Sequence, residues 1–439
     1  NASGEVTTSV QSGSIATPVR VIASSEEDVD GDTVIVTAPS DILVISTGIA
    51  DQNSFSLSRS IFNPHALNVD GNTVSVNARL ADHFNNPVPD GTAVSFITEG
   101  GVIEPSCTTT NGTCSVTWTS SNPRPFTDSM YENTITQKCD GGLPCPLGIL
   151  NNDLTVDLPL GGRATVHAYA IGEETFSDLN GNGYFDSEDF FDDLFDIPEA
   201  FIDNNEDGTY GGKDCNDGTD PCSRDNSTGD EFEEFVDFDG NGTWTTENGL
   251  YNGLLCREED EAAGICSRQM VNVFQNQEIV MSGDTAFFRL VTYADDCSAI
   301  AGATASEVRV NSDPASPLVR RVQNDPTSAI MCQVDAIDLT QTASGTASLG
   351  LTVFIADIYN NPMPAETTIS IDTDNGILTG SDNYTYPNTT SIVPVGLSFG
   401  ITREDLDGGN EQFSGILTVT AEAPSGLEST LSVSVTDDL

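Results

Sequence analysis

ADHFNNPVPDGTAVSFITEGGVI, residues 81–103, recurs without gaps as ADIYNNPMPAETTISIDTDNGIL, residues 356–378, and every other segment takes its meaning from this self-match. Ala, Asp, Asn, Asn, Pro, Pro, Thr, Ser, Thr and Gly repeat in place at a constant offset of 275 residues. Upstream of each copy lies an alternating stretch, Val74/Val76/Ala78/Leu80 and Leu349/Leu351/Val353/Ile355, apolar on one face as a half-buried strand requires. The Asn-Asn-Pro-x-Pro element then reads as a turn, because Asn tolerates left-handed backbone angles and Pro fixes φ. A second anchor follows: GRATVHAYA (162–170) matches GILTVTAEA (415–423), each a Gly before an alternating strand. Two copies of one sandwich are therefore expected. The extra length of the first copy, between its anchors, includes a loop around Cys139 and Cys145.

This pattern resembles the bacterial immunoglobulin-like domains of intimin and invasin surface proteins. In those repeats a D-x-x-x-N-P-x-P turn follows one strand and a T-x-x-G-x-x-x-P segment the next. The matching residues are Asp82, Asn86, Pro87, Pro89, Thr98, Gly101 and Pro105 in the first copy. The second has Asp357, Asn361, Pro362, Pro364, Thr373 and Gly376, but Ser381 near the last Pro position. The resemblance covers roughly half the chain. It implies an all-β protein of tandem immunoglobulin-like β-sandwiches on a bacterial cell surface. It says little of function, since such domains serve as stalks, adhesive tips and spacers alike.

Composition agrees with many short strands: Gly, Ser, Thr, Asn and Asp separate brief apolar runs. The 68 acidic residues against 15 basic ones give a formal net charge of -53, which repels nucleic acid and anionic membrane and calls for divalent counter-ions. No apolar stretch is long enough to span a bilayer, so direct membrane insertion is not expected. A start at Asn1 is read as a removed leader or a fragment. The ten cysteines fall in neighbouring pairs: Cys107 with Cys114, Cys139 with Cys145, Cys215 with Cys222, Cys256 with Cys266, and Cys297 with Cys332. None has zinc-knuckle or redox-centre spacing, so sequential disulfides formed in an oxidising, extracellular compartment are expected.

An acidic insertion, 176–268, carries three loops of one grammar. In DLNGNGYFDSED, Asp178, Asn180 and Asn182 stand at positions 1, 3 and 5, Gly183 at 6, the Tyr184 carbonyl at 7, Asp186 at 9 and Asp189 at 12. Alternate residues of a tightly wound loop point at one ion, the Gly permits the sharp turn, and hard oxygen donors select calcium. DNNEDGTYGGKD repeats this with Asp203, Asn205, Asp207, Gly208, Thr209 and Asp214. DFDGNGTWTTEN keeps Asp237, Asp239, Asn241, Gly242 and Thr243 but has Asn248 at position 12, where Glu247 is the expected substitute. Position 8 is aromatic throughout (Phe185, Tyr210, Trp244), which suggests loops pinned to apolar clusters. The loops resemble those of dockerins, thrombospondin type 3 repeats and EF-hands. Only FFDDLFDIPEAF (190–201) has a pattern that might continue as a helix.

Catalytic signatures are missing. His65, His83 and His167 lack zinc-protease spacing, and there is no G-x-S-x-G elbow, phosphate loop or dinucleotide fingerprint. The expected organisation is a partial domain or inter-subunit strand segment at 1–50, then a first sandwich at 51–282 carrying the insertion. A disulfide-clipped connector follows at 283–335, and a second sandwich at 336–439. Residues 13–25 and 32–47 read as strands flanking an acidic turn, like the end of a sandwich without its front half. Unpaired edges and an open apolar face invite another chain. A homopolymeric filament joined through residues 1–50 and a neighbouring immunoglobulin-like domain is thus the leading expectation. The alternatives are a segment of an adhesin stalk and a non-catalytic module with a glycan or other cell-surface ligand.

Overall fold

The computed structural model describes residues 7, 9, 17–29, 32–41, 43–125, 161–204, 208–211, 233–294, 297, 303–305, 330–339, 348–391, 394–404 and 412–438. The chain is nearly all β, with two sandwiches preceded by a hairpin.

In the first sandwich, one sheet has the order Ser106–Thr108, Ala93–Thr98, Arg163–Glu173, Val271–Val280, with Ala50–Asp51 paired parallel to Arg163–Glu173. The facing sheet runs Phe55–Arg59, Thr73–Leu80, Thr113–Thr119, Val102–Ile103. Thr73–Leu80 alternates strictly: Val74, Val76, Ala78 and Leu80 are buried and the residues between them exposed. They meet Val94, Phe96, Val166 and Ala168 in one core around the fully buried Trp118. The Trp118 indole N–H donates to the Gly100 carbonyl at 2.8 Å. Gly101 passes so close, at φ +71, that a Cβ there would stand 2.6 Å from the Trp118 ring.

The second sandwich repeats the plan with a six-stranded sheet, Ala303–Ala305, Ile330–Val334, Phe287–Ala294, Ser348–Ala356, Val395–Thr402, Ile377–Thr379. Against it lies the sheet Ala336–Asp338, Glu428–Asp438, Gln412–Glu422, Thr368–Thr373, Asn383–Thr385. Residues 283–335 are therefore not a connector. Phe287–Ala294 pairs with Ser348–Ala356 over five residues and places Leu290 in the second core, so the boundary falls at Ser282–Gly283. Its apolar residues are too sparse to mark a strand by alternation, and only the long-range partner identifies it.

The repeated turn is a clamp. Asp82 is fully buried; its Oδ1 accepts the N–H groups of Phe84 (3.0 Å) and Asn86 (2.8 Å), and its Oδ2 that of Thr47 (2.9 Å). Asp357 does the same with Tyr359, Asn361 and Gly283, each at 2.9 Å. Asn85 and Asn360 adopt φ of 61° and 63°, which few residues other than Gly, Asn and Asp tolerate. Each Asp thus grips the chain as it enters the sandwich.

The second turn also docks on the first sandwich. Asn63 Nδ2 donates to the carbonyls of Met363 (2.6 Å) and Pro387 (3.1 Å), and its Oδ1 accepts from Thr389 N at 3.0 Å. Asn361 Nδ2 donates to Gly161 O and Ser282 Oγ to Pro362 O, both at 2.6 Å. Arg163, paired with Glu278, donates to Thr390 O at 2.7 Å.

Ile22–Val29 and Asp32–Pro39 form an antiparallel hairpin, with Thr17–Val19 paired to Leu43–Ile45 beneath it. Every residue of Asp32–Pro39 is exposed. Cys107–Cys114, Cys256–Cys266 and Cys297–Cys332 are disulfide-bonded, as sequential pairing requires. Cys139, Cys145, Cys215 and Cys222 lie outside the described residues. No helix among the described residues is long and apolar enough to cross a membrane.

Candidate metal centres

The insertion leaves the first sandwich between its last two long strands, Arg163–Glu173 and Val271–Val280, at the end where residues 46–51 enter. Phe176, Phe185, Tyr251 and Leu255 with the Cys256–Cys266 disulfide make a small core of their own. Phe84, from the first clamp turn, packs on it, and His83 stacks on Phe176 at 4.3 Å while meeting Asp51 at 3.1 Å. His83 is thus a structural contact. The stretch 190–201 does not form a helix: the Asp192 side chain takes Leu194 N–H, Asp196 takes the N–H groups of Asn248 and Gly249, and Ile197 precedes Pro198. The one helix among the described residues is five residues long, Glu258–Ala262.

Loop one (178–189) winds around Asp178, whose carboxylate accepts from Gly181 N at 2.7 Å and Gly183 N at 2.9 Å. Gly183 holds φ +77 at position 6, and Phe84 lies against it. Asn180 and Asn182 both turn their amides onto Asp186, at 3.1 and 2.7 Å. The Asp186 carboxyl lies below its usual range, chiefly through the N–H of Glu188 and then the Asn182 amide. Asp189 closes the loop, its two oxygens accepting Leu179 N (2.9 Å) and Asp186 N (3.0 Å). The Tyr184 carbonyl follows the position-6 turn.

Loops two and three have the same interior. Gly208 N donates to Asp203 Oδ2 at 3.0 Å, and Gly242 N to Asp237 Oδ2 at 2.9 Å, with φ of 78° and 77° at the two glycines. Asp239 lies below the usual carboxylate range, chiefly through Asn241 N–H, and Asn241 Oδ1 accepts from Thr243 N at 2.6 Å. Asn205, Asp207 and Asp214 lie outside the described residues; Thr209 follows Gly208 at position 7. The aromatics at position 8 are pinned: Phe185 is in the small core, and Tyr210 stacks on Trp244 at 4.4 Å with Phe201 against both.

Two carboxylates that sequence reading missed close these loops. Glu199, not Glu247, joins Asp237 and Asp239, their oxygens within 4.8 Å of one another. Glu199 Oε1 accepts Phe238 N at 2.8 Å and its Oε2 accepts Thr245 N at 3.0 Å. Glu233, buried at 1% exposure, takes Asn204 N and Gly211 N, each at 2.8 Å. These are positions 2 and 9, the pair that Asp189 holds in loop one. A signal was available: Glu-x-Phe-x-Asp begins at 174, 199 and 233, so a Glu precedes every loop by four residues. The first of them, Glu174, is buried and pushed up to about 7 by that burial, while holding Ile197 N and Asn252 N. The donors of all three loops are carboxylate, amide and carbonyl oxygens without sulfur or imidazole, a set that fits a hard cation.

No protein-family model and no curated protein matches the chain. Among solved structures it is similar to the adhesin InvE of Yersinia pseudotuberculosis, at 11% identity and a TM-score of 0.21, over 89% of this chain and 61% of that one. It is also similar to the D0–D1 domain of intimin (9%, TM-score 0.19, 87% and 97%) and to invasin, a bacterial integrin-binding protein (11%, TM-score 0.18, 88% and 39%). The chain therefore spans about three fifths of the InvE chain and two fifths of the invasin chain. The assignment of two sandwiches rests on the sheets themselves.

Proposed function

We propose that this chain is a structural subunit of a bacterial cell-surface filament, stiffened by calcium and disulfides and joined copy to copy through its first 50 residues. The observation that carries this reading is the hairpin Ile22–Val29/Asp32–Pro39. Ile22, Val34, Ile35 and Val36 are 65%, 43%, 62% and 53% exposed, and no sheet among the described residues covers them. Thr47 N–H enters the Asp82 clamp as Gly283 N–H enters that of Asp357. Residues 17–45 therefore stand before the first sandwich as the last strand of that sandwich stands before the second. A terminal hairpin of this kind needs a facing sheet, and another copy supplies one of matching twist and order. Burying four such side chains contributes roughly 1.5–3 kcal/mol each.

Calcium belongs to the same reading. Asp178, Asn180, Asn182, Tyr184, Asp186 and Asp189 would hold one ion, and Asp237, Asp239, Asn241, Thr243 and Glu199 another. A third site would use Asp203, Asn205, Asp207, Thr209 and Glu233. The insertion sits where residues 46–51 enter the first sandwich, and loop one rests on Phe84 of the clamp turn. Bound ions there would neutralise mutually repelling carboxylates and set the angle of the joining hairpin.

Negative-stain imaging and sedimentation in millimolar calcium test the assembly. The intact chain is expected to form filaments, and a variant without residues 1–50 to stay a folded, calcium-binding monomer. Filaments from the deletion variant, or an intact monomer with the hairpin folded back on its own sandwiches, would sink strand complementation. A stalk segment would then take its place, a reading favoured by the hydrogen-bonded junction at Asn63 and Asn361. Hydrogen exchange across 176–268 that is indifferent to chelator would remove calcium from either reading.

A further inference from the structure

We infer that loops two and three trade their closing carboxylates, Glu199 sealing loop three and Glu233 sealing loop two, so that the two loops take up calcium as a coupled pair while loop one binds alone. This rests on the calcium reading above and adds to it the regulation of those sites.

The argument starts from a 34-residue repeat: Glu199-x-Phe201-x-Asp203 and Glu233-x-Phe235-x-Asp237 lie in register, as do Gly208 with Gly242 and Tyr210 with Trp244. Each Glu lies four residues before the first Asp of its own loop, yet its two oxygens meet the N–H groups of positions 2 and 9 in the other loop. The crossing is produced by pairing. Phe201 and Phe235 form an antiparallel bridge, with Ile202 N donating to Glu234 O at 2.9 Å and Val236 N to Ala200 O at 2.7 Å. In loop one the same bond runs within the loop, from Ser177 N to Phe190 O at 2.9 Å, and the closing residue is that loop's own Asp189. One geometry is therefore built once in cis and twice by exchange.

Coupling follows from covalent continuity. An ion in loop three draws in Glu199, four residues upstream of Asp203, and so orders the entry to loop two. An ion in loop two draws in Glu233 and orders the entry to loop three. Binding at either loop prepays part of the ordering at the other, which is positive linkage.

The test is a calcium chloride titration of the full-length, 15N-glycine-labelled protein, followed at the position-6 amides Gly183, Gly208 and Gly242. Glu199→Gln should weaken the response of Gly242 roughly 10- to 100-fold, the range for losing a supporting group at a metal site. Through coupling it should weaken Gly208 about fivefold. Gly183 should not change and serves as the internal control for folding. Glu233→Gln should show the mirror pattern, and Glu199→Asp a smaller loss at Gly242. If Glu199→Gln affects Gly208 with Gly242 untouched, or leaves both unchanged, the exchange is wrong although calcium binds. If none of the three glycines of the unaltered protein responds to calcium, the calcium reading itself fails.

Discussion

Glu173 shows how one buried group makes this molecule sensitive to pH. It is fully buried at the base of the insertion, where Oε2 accepts from Tyr251 Oη at 3.1 Å and Leu254 N at 2.9 Å. Burial pushes its carboxyl from 4.5 up to about 7; the Leu254 and Tyr251 bonds oppose the rise, Asp51 adds to it and His83 reduces it. A folded-state value above the unfolded one means the native protein binds more protons, so stability is full below about 4.5 and lost as pH rises to about 7. The cost of ionising it in place is on the order of 3 kcal/mol. Glu173→Gln keeps an acceptor for Leu254 N and removes the charge. In calcium-free buffer its melting temperature should exceed that of the unaltered protein at pH 8 and match it near pH 4.5. Parallel curves across that interval would contradict the assignment.

Among the elements, the disulfide-clipped hairpins differ in what they contribute. Cys107–Cys114 closes a separation of 7 between paired strands, whereas Cys297–Cys332 closes one of 35 and ties residue 297 to the strand Ile330–Val334. Chain-entropy arguments give about 2.5 kcal/mol for the shorter loop and about 4 kcal/mol for the longer. Replacing Cys297 and Cys332 together by Ala should therefore lower the denaturant midpoint of the second sandwich more than the same change at Cys107 and Cys114 lowers that of the first. Limited proteolysis across a urea series reads the two sandwiches separately; the opposite order would show that native packing, not loop closure, dominates.

At the scale of the whole molecule, the junction between the sandwiches sets stiffness. Asn63 is fully buried and satisfies two carbonyls and one N–H of the second sandwich. Asn63→Ala would orphan all three, a loss of roughly 3 kcal/mol concentrated at the contact. Calorimetry should then resolve two melting transitions farther apart than in the unaltered protein, and small-angle scattering should show a broader spread of maximum dimension. A rigid, cooperatively melting variant would mean that the Arg163–Glu278 pair and Asn361 hold the junction without Asn63.

The line between sequence and tertiary structure runs through the calcium segment and the domain boundary. The 275-residue self-match, the alternation of Val74 to Leu80, the sequential disulfides of the described residues and the 1-3-5-6 interiors of the loops were all legible in sequence, because each depends on neighbours within a turn or a strand. The closing carboxylates were not. Position 12 of loop one lies in the loop itself, but Glu199 and Glu233 reach loops three and two only after Phe201 and Phe235 have paired across 34 residues. In the same way Phe287–Ala294 joins the second sandwich through a partner more than fifty residues away, with no periodicity of its own to announce it. Local spacing carries a pattern that the backbone can repeat alone; which carboxylate completes a loop, and which sheet a strand joins, is decided by the contacts that bring distant segments together.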